Sequence, residues 1–394
     1  MDCFPLEGLN EDVFWDFFIV QAFGTENLCN YLDLEDIGRS IILKLKGSPL
    51  AAKTIGRLLQ TNADYTLDEL WKLEQERTDI LPALRLSYMY LPPHLKRCFS
   101  FCAVYPKDYM FEKNTLVDIW LAEGFVEHTG SIPVVTVGQQ YFEDLVSRSF
   151  FQKVSVTCDK YVIHDLMHDM AQLVSQDECF IIRDANDLRT IPPNVRHLSI
   201  FIKRNIRYHD LMGLCRYKKL RTLLCSKAFK HKEFVSVLGS WFKELQHIRV
   251  LSYSLPMLED IPESIRNLKL VGYICFFSQH TFSILPSSFC CLYNLQILDA
   301  STCVFKSLPC DFGKLISLRK LRAKNFSYLQ GEDLRERIKV LKHINQIEGN
   351  LLVNLPGLKS RKNIGHALLK MENNLYSLHT SRLAASRSST FRGH

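Results

Sequence analysis

Apolar positions recur along this chain at two different periods. In LDLEDIGRSIILKLKGSPLAAKTIGRLLQ, Ile37, Ile41 and Leu45 stand four apart, so residues from about 9 to 60 read as helices with one apolar face. Gly47, Ser48 and Pro49 break that run. Glycine suits the left-handed position after a helix end, serine can cap the next helix, and proline needs no N–H partner in a first turn, so a tight helix corner is predicted. A second helical block runs from about Ile80 to Ser175, through LPALRLSYMYL, HLKRCFSFCAVY, EKNTLVDIWLAEGF and GQQYFEDLVSRSFF, with Pro92, Pro93, Pro106 and Gly130 between segments. FFQKVSVTCDKYVI then reads as two short β-rich runs around a turn at Thr157 to Lys160, feeding the helix DLMHDMAQLVS. Helices followed by a small hairpin predict a winged helix.

From about residue 195 the period changes. Apolar pairs three apart recur as Val195/Leu198, Leu220/Leu223, Ile248/Leu251, Leu270/Tyr273, Leu295/Leu298 and Leu318/Leu321, with second members 25, 28, 22, 25 and 23 residues apart. This lies in the band of roughly 20–29 residues that marks leucine-rich repeats. Ile261-Pro262, Leu285-Pro286 and Leu308-Pro309 recur at 24 and 23 residues, each between one strand and the next. In LQILDASTCVFKSLPCDFGKLISLRKL, Leu295, Leu298 and Ala300 are expected to point inward, with Cys303 at the asparagine-or-cysteine position. One such unit cannot bury its apolar face alone, so six stack into a curved solenoid, with one or two degenerate repeats expected near Leu351 and Leu375. If the strands follow LxxLxL, the concave face carries His197, Ser199 and Phe201 early, Gly272, Ile274 and Phe276 in the middle, and Lys320, Arg322 and Lys324 late. The fold class expected is α+β multidomain: a helical bundle segment over 1–80, a winged-helix domain over 81–185, an α/β leucine-rich-repeat solenoid over 190–380, and a disordered tail over 381–394.

Composition narrows the class. Hydrophobic residues make up 47% and charged residues 23%, enough apolar material for a folded core. The net charge of +7 is small for 394 residues and gives little support for a nucleic-acid partner. Its distribution is uneven: the first 38 residues hold nine acids and no Lys or Arg, whereas Val195 to Leu270 holds fifteen basic residues and six acids. Intramolecular docking of the repeats onto the acidic front is therefore one expectation. Thirteen irregularly spaced cysteines fit reduced thiols in a cytoplasmic setting. The segment MDCFPLEGLNEDVFWDF lacks the basic start of a secretory signal, and no apolar run approaches the ~18–20 residues of a membrane helix.

Candidate chemistry is sparse. His164 and His168 lie four apart beside Asp165 and Asp169, but neither the glutamate of HExxH nor a third ligand accompanies them, so capping and interface roles are expected and no metal. Cys98 and Cys102 alternate with Phe99 and Phe101, which points to buried packing. No local signature supports a Cys-His nucleophile, so no catalytic residue and no enzyme activity are expected. Helix EKNTLVDIWLAEGF sets Glu112, Asp118 and Glu123 against Lys113, a balance that repels phosphate and weighs against a DNA-reading helix.

These residues resemble plant intracellular nucleotide-binding leucine-rich-repeat immune receptors (NB-ARC–LRR proteins) of the coiled-coil type. LEGLNEDVFWDFFIVQAFG looks like the helical segment before their Gly-Leu-Pro-Leu-Ala motif, which stands here as GSPLA, Gly47 to Ala51. CFSFCAVYPKDYMFEKNTLVDIWLAEGFV, Cys98 to Val126, resembles their winged-helix signature, and YVIHDLMHDMA resembles the Met-His-Asp motif with Ile163 in place of methionine. The resemblance implies that Pro49 packs against the adenine of ADP, that His164 approaches its β-phosphate, and that Asp165 buttresses the histidine. It implies ADP or ATP as cofactor, and a pathogen effector or host protein as partner of the repeats. The pattern is incomplete: no GxxxxGK[ST] occurs, and the only Gly-Lys pair, Gly313-Lys314, precedes Leu315. The chain is thus expected to start partway through the nucleotide-binding module, without its P-loop subdomain, to hydrolyse no NTP, and either to sense, decoy or regulate a full-length receptor or to be a remnant with no activity. The alternatives are an adaptor that recruits substrates to a ubiquitin ligase, for which no F-box-like leader is visible, and a winged-helix DNA-binding protein.

Overall fold

The structure is a computed structural model that describes residues 9–23, 39, 42, 45, 47–61, 82–128, 130–155, 158–201, 207–228, 233–254, 261–277, 283–327 and 346–352. Its contacts divide the chain into Met1–Cys179 and Phe180–His394.

In the first unit, α1 (Glu11–Phe23) and α2 (Pro49–Thr61) pack through Phe14, Phe18 and Ala22 against Ala51, Ala52 and Ile55. Asn10 caps α1 by accepting from the Val13 N–H at 2.9 Å. The corner before α2 forms as its three letters require. Gly47 has φ 67°, the Ser48 Oγ accepts from the Ala51 N–H at 3.4 Å, and Pro49 is the first helical residue. The helices cross closely because Gly56 lacks a side chain: a Cβ there would stand 2.8 Å from the backbone carbonyl carbon of Gln21.

The winged helix follows with α3 (Pro82–Met89), α4 (Pro93–Phe101), a 3-10 turn over Cys102–Val104, β1 (Phe111–Glu112), α5 (Lys113–Glu123), α6 (Val134–Ser147), β2 (Gln152–Ser155), β3 (Cys158–Val162) and α7 (Asp165–Val174). Phe99, Phe101, Trp120, Phe142, Phe150 and Phe151 are fully buried and form its aromatic core. Gly124 ends α5 in the left-handed region at φ 77°, with the Phe125 N–H reaching back to the Trp120 carbonyl at 2.9 Å. The hairpin pairs antiparallel, Gln152 opposite Val162, and Lys160 lies within β3 rather than in the turn. A third strand was not legible: β1 pairs with β3, Phe111 opposite Tyr161.

The second unit is a ribbon of parallel strands. β4 (Cys179–Ile182), β5 (His197–Ile200), β6 (Thr222–Ala228), β7 (Val250–Ser254), β8 (Tyr273–Phe277), β10 (Ile297–Ser307), β11 (Lys320–Ser327) and β12 (Gln346–Leu352) lie side by side in that order, with β9 (Ser283–Ile284) beside β10. β4 joins this sheet, so the expected domain boundary near residue 185 lies a few residues past the observed division. One backbone device recurs at each rung. The Arg196 carbonyl accepts from the N–H groups of Arg221 and Thr222, and Arg221, Arg249, Gly272 and Gln296 repeat the pattern one rung further on.

Repeat length follows what connects the strands. The longest interval, 28 residues, accommodates the twelve-residue helix α9 (Glu233–Glu244), whereas later repeats use five-residue 3-10 turns over Glu263–Asn267, Ser287–Cys291 and Cys310–Lys314. Pro262, Pro286 and Pro309 start those turns, and their carbonyls accept from Ile265, Phe289 and Phe312, whose side chains are buried. Leu295, Leu298, Ala300 and Cys303 all lie in the solenoid core.

One repeat needs correction. The expected pair Leu270/Tyr273 is shifted by one residue: Leu270 is 44% exposed, and Val271 and Ile274 fill the core positions. Ile274 aligns with Leu251 and Leu298 on the neighbouring strands, so the intervals become 23 and 24 instead of 22 and 25. Near Leu351 the expected extra repeat supplies β12, parallel to β11; Leu375 and the tail at 381–394 lie outside the described residues.

Candidate functional site

The three residues assigned to a nucleotide latch sit at helix starts. Pro49 is exposed at the head of α2, and His164 is the exposed N-cap of α7, followed by exposed Asp165. The two helices share a neighbour, since both pack on α3. The His164 Nδ1 accepts from the Leu166 N–H at 3.3 Å, which fixes the neutral ring as the tautomer with its proton on Nε2. That Nε2–H is the donor a phosphate would use, and helix starts favour anions. His164 thus offers a donor for the phosphate contact the resemblance implies, whereas Pro49 offers only an exposed ring. The arrangement does not supply a phosphate cradle, because the sequence has no glycine-rich loop with its lysine and hydroxyl. Asp165 makes no described contact with His164 that would make it a buttress.

His168, four residues on, has a different role. It is buried and bonds through Nε2 to the Tyr105 carbonyl at 2.7 Å, tying α7 to the turn after α4. Among the described residues no group of three His, Cys, Asp or Glu side chains could hold a metal ion. Burial raises the thiols of Cys98 and Cys102 and pushes Cys179 up to about 12, so these sulfurs stay protonated and unreactive at neutral pH. The helix weighed as a DNA reader, α5, buries every side chain from Leu116 to Glu123, including both acids, and leaves only its first turn, Lys113 to Thr115, outside the core.

The strand face of the solenoid is the second candidate surface. Strand registers place His197, Thr222, Val250, Tyr273, Ile297 and Lys320 in one row, and Ser199, Leu224, Ser252, Cys275, Asp299 and Arg322 in the next. The expected middle of this face was therefore wrong. Ile274 and Phe276 belong to the core, and Tyr273 and Cys275 take their place, because a one-residue slip turns every strand side chain over. The expected basic end is also partly neutralised: Arg322 Nη1 meets Asp299 Oδ2 at 3.0 Å, with side chains only 9% and 13% exposed. The Lys324 side chain lies outside the described residues. His197 Nδ1 lies 2.9 Å from Thr222 Oγ1 one rung away. Both pairs span about one repeat, 23 and 25 residues, which is the signal that could have found them. Outside the strand rows, Leu270, Tyr293 and Ile316 stand exposed just before three successive strands.

A winged helix and a leucine-rich solenoid in one chain define a multidomain class, and sequence comparisons make it specific. Residues 104–171 match the disease resistance protein winged helix domain. Disease resistance protein RGA2 of Solanum bulbocastanum is 40% identical over 176 residues, 43% of this chain and 18% of its own length. Disease resistance RPP13-like protein 4 of Arabidopsis thaliana is 30% identical over 339 residues, 79% of this chain and 38% of its own. A further Arabidopsis thaliana relative with a provisional disease-resistance name is 34% identical over 297 residues, 73% of this chain and 21% of its own. The chain belongs to the plant NB-ARC–LRR disease resistance family, and it spans well under half the length of these relatives. Among solved structures, an internalin from Listeria monocytogenes aligns at 11% identity and TM-score 0.29, over 45% of this chain and 51% of that one, too distant to carry an argument. No described helix is long and apolar enough to cross a membrane.

Proposed function

We propose that this chain serves plant innate immunity by binding, not catalysis, and that its solenoid recognises a pathogen effector or a host protein in the cytoplasm. The observation that carries the reading is the winged helix of the disease-resistance type followed by repeats that expose Leu270, Tyr293 and Ile316 on successive rungs. Solenoids of this kind offer extended surfaces for protein contacts. Pro49 and His164 then contribute to an ADP-responsive latch whose phosphate cradle this sequence does not contain. A second receptor of the same family is a further partner this reading allows.

The test is proximity labelling in leaf tissue by the chain fused to a biotin ligase, beside the same fusion with Tyr293→Asp and Ile316→Asp. Both residues are solvent-facing, so the variant keeps its fold. Loss of a defined set of labelled proteins in the variant supports recognition through the repeats. Identical labelling by the two fusions counts against it.

A further inference from the structure

We propose that a cavity in the first rungs of the solenoid binds a phosphate monoester through Arg189, Arg207 and Arg216. The cavity has a volume of about 260 Å³ and is walled by the 3-10 turn Asp187–Arg189, helix α8 (Tyr208–Met212) and the turn Gly213–Arg216. Leu188 and Leu214 line it with apolar surface, and Arg189, Arg207 and Arg216 line it from three separate segments.

Those groups are not consumed by the fold. Arg216 is held in place without a carboxylate: its Cζ lies 4.8 Å from the centre of the Tyr217 ring, and its Nη2 donates to the Tyr217 hydroxyl at 2.6 Å. That hydroxyl in turn donates to the Ile191 carbonyl at 3.4 Å, and Tyr217 is buried, so the anchor is fixed. Arg207 spends its Nε on Asp210 Oδ2 at 3.2 Å and keeps its terminal nitrogens. The Arg189 side chain, which is exposed, has no ion-pair partner among the described residues.

Charge and size choose the ligand. Three arginines and one aspartate leave the lining at +2, which a phosphate monoester of about −2 neutralises and a single carboxylate does not. Planar guanidinium forks also match the oxygens of phosphate better than a point charge would. The volume exceeds the roughly 150 Å³ that holds a benzene ring but falls short of the ~300 Å³ where drug-sized sites begin. One phosphate and the first atoms of its ester fit. The donor of that group is either a small phosphorylated metabolite or a phosphorylated side chain of a partner protein.

The experiment is calorimetric titration of the full chain with inorganic phosphate, glucose 6-phosphate and a phosphoserine peptide, with acetate and the unphosphorylated peptide as controls. Saturable one-site binding of the phosphates is expected, weakened about tenfold by Arg189→Gln and again by Arg216→Gln. Lys243→Gln, at an exposed lysine away from the cavity lining, should change nothing. Tighter binding of glucose 6-phosphate assigns the site to a metabolite, and tighter binding of the phosphopeptide assigns it to a partner. The absence of saturable binding overturns the proposal. So does an equal loss in the Lys243 variant, or binding that survives both arginine substitutions. Arg189 is exposed and unpaired, so thermal unfolding of its variant in phosphate-free buffer should match the parent and show that lost affinity is not lost fold.

Discussion

Acid should weaken the solenoid through one buried histidine. His197 is 5% exposed on the first strand row, and its pKa is lowered to about 3, chiefly by burial and further by the adjacent Arg221 and Arg196 guanidinium groups. In the unfolded chain the ring titrates near its ordinary value of about 6.5. Between these two values the unfolded state binds a proton that the folded state refuses, so stability rises with pH across that window and is fully present above it. Lowering the pH from 7 to 5 should therefore remove about 2 kcal/mol through this residue alone, at 1.36 kcal/mol per pH unit below about 6.5. The assay is urea unfolding of the parent and of His197→Gln at pH 7, 6 and 5, followed by circular dichroism. Glutamine can retain a hydrogen bond to Thr222 Oγ1 but cannot titrate. The difference between the two proteins should shrink or change sign as the pH falls. Parallel pH profiles for the two would refute the reasoning, because no proton would then be excluded at position 197.

Further outcomes follow from the same structure. Asp299→Ala removes the carboxylate 3.0 Å from Arg322 Nη1 and should cost about 1–3 kcal/mol, partly restored by adding Arg322→Met; equilibrium unfolding of the single and double variants measures the coupling. Val271→Ala should cost about 1–3 kcal/mol while Leu270→Ala stays within about 0.5 kcal/mol, and a reversed order in the same assay would restore the register expected from spacing alone. Gly56→Ala forces a methyl group to within 2.8 Å of the Gln21 backbone and should cost about 1–3 kcal/mol, read as a lower melting temperature of the first unit.

Local chemistry was the most legible part of this chain. The corner at Gly47, Ser48 and Pro49 and the cap at His164 depend on neighbours within a few residues, so their letters suffice. The solenoid was legible for a different reason: repetition averages out errors in any one unit. It failed at Leu270, where Leu268, Leu270 and Val271 are all apolar and Tyr273 on the opposite row is itself buried, so no polar alternation marks the register. β1 escaped because two residues carry no period and its partner lies some fifty residues later. The strand-face pairs His197–Thr222 and Asp299–Arg322 became visible only once neighbouring rungs were aligned. The arginine cavity lies outside the repeat consensus altogether, in segments that a periodic reading passes over.

The central proposal is that this chain works through its surfaces, with Pro49 and His164 alone insufficient to hold a nucleotide. Calorimetric titration of the purified chain with ADP and magnesium tests it most directly. The account predicts no saturable heat through the micromolar range, since Pro49 and His164 offer contacts without a cradle. A micromolar dissociation constant, abolished by His164→Ala, would contradict it.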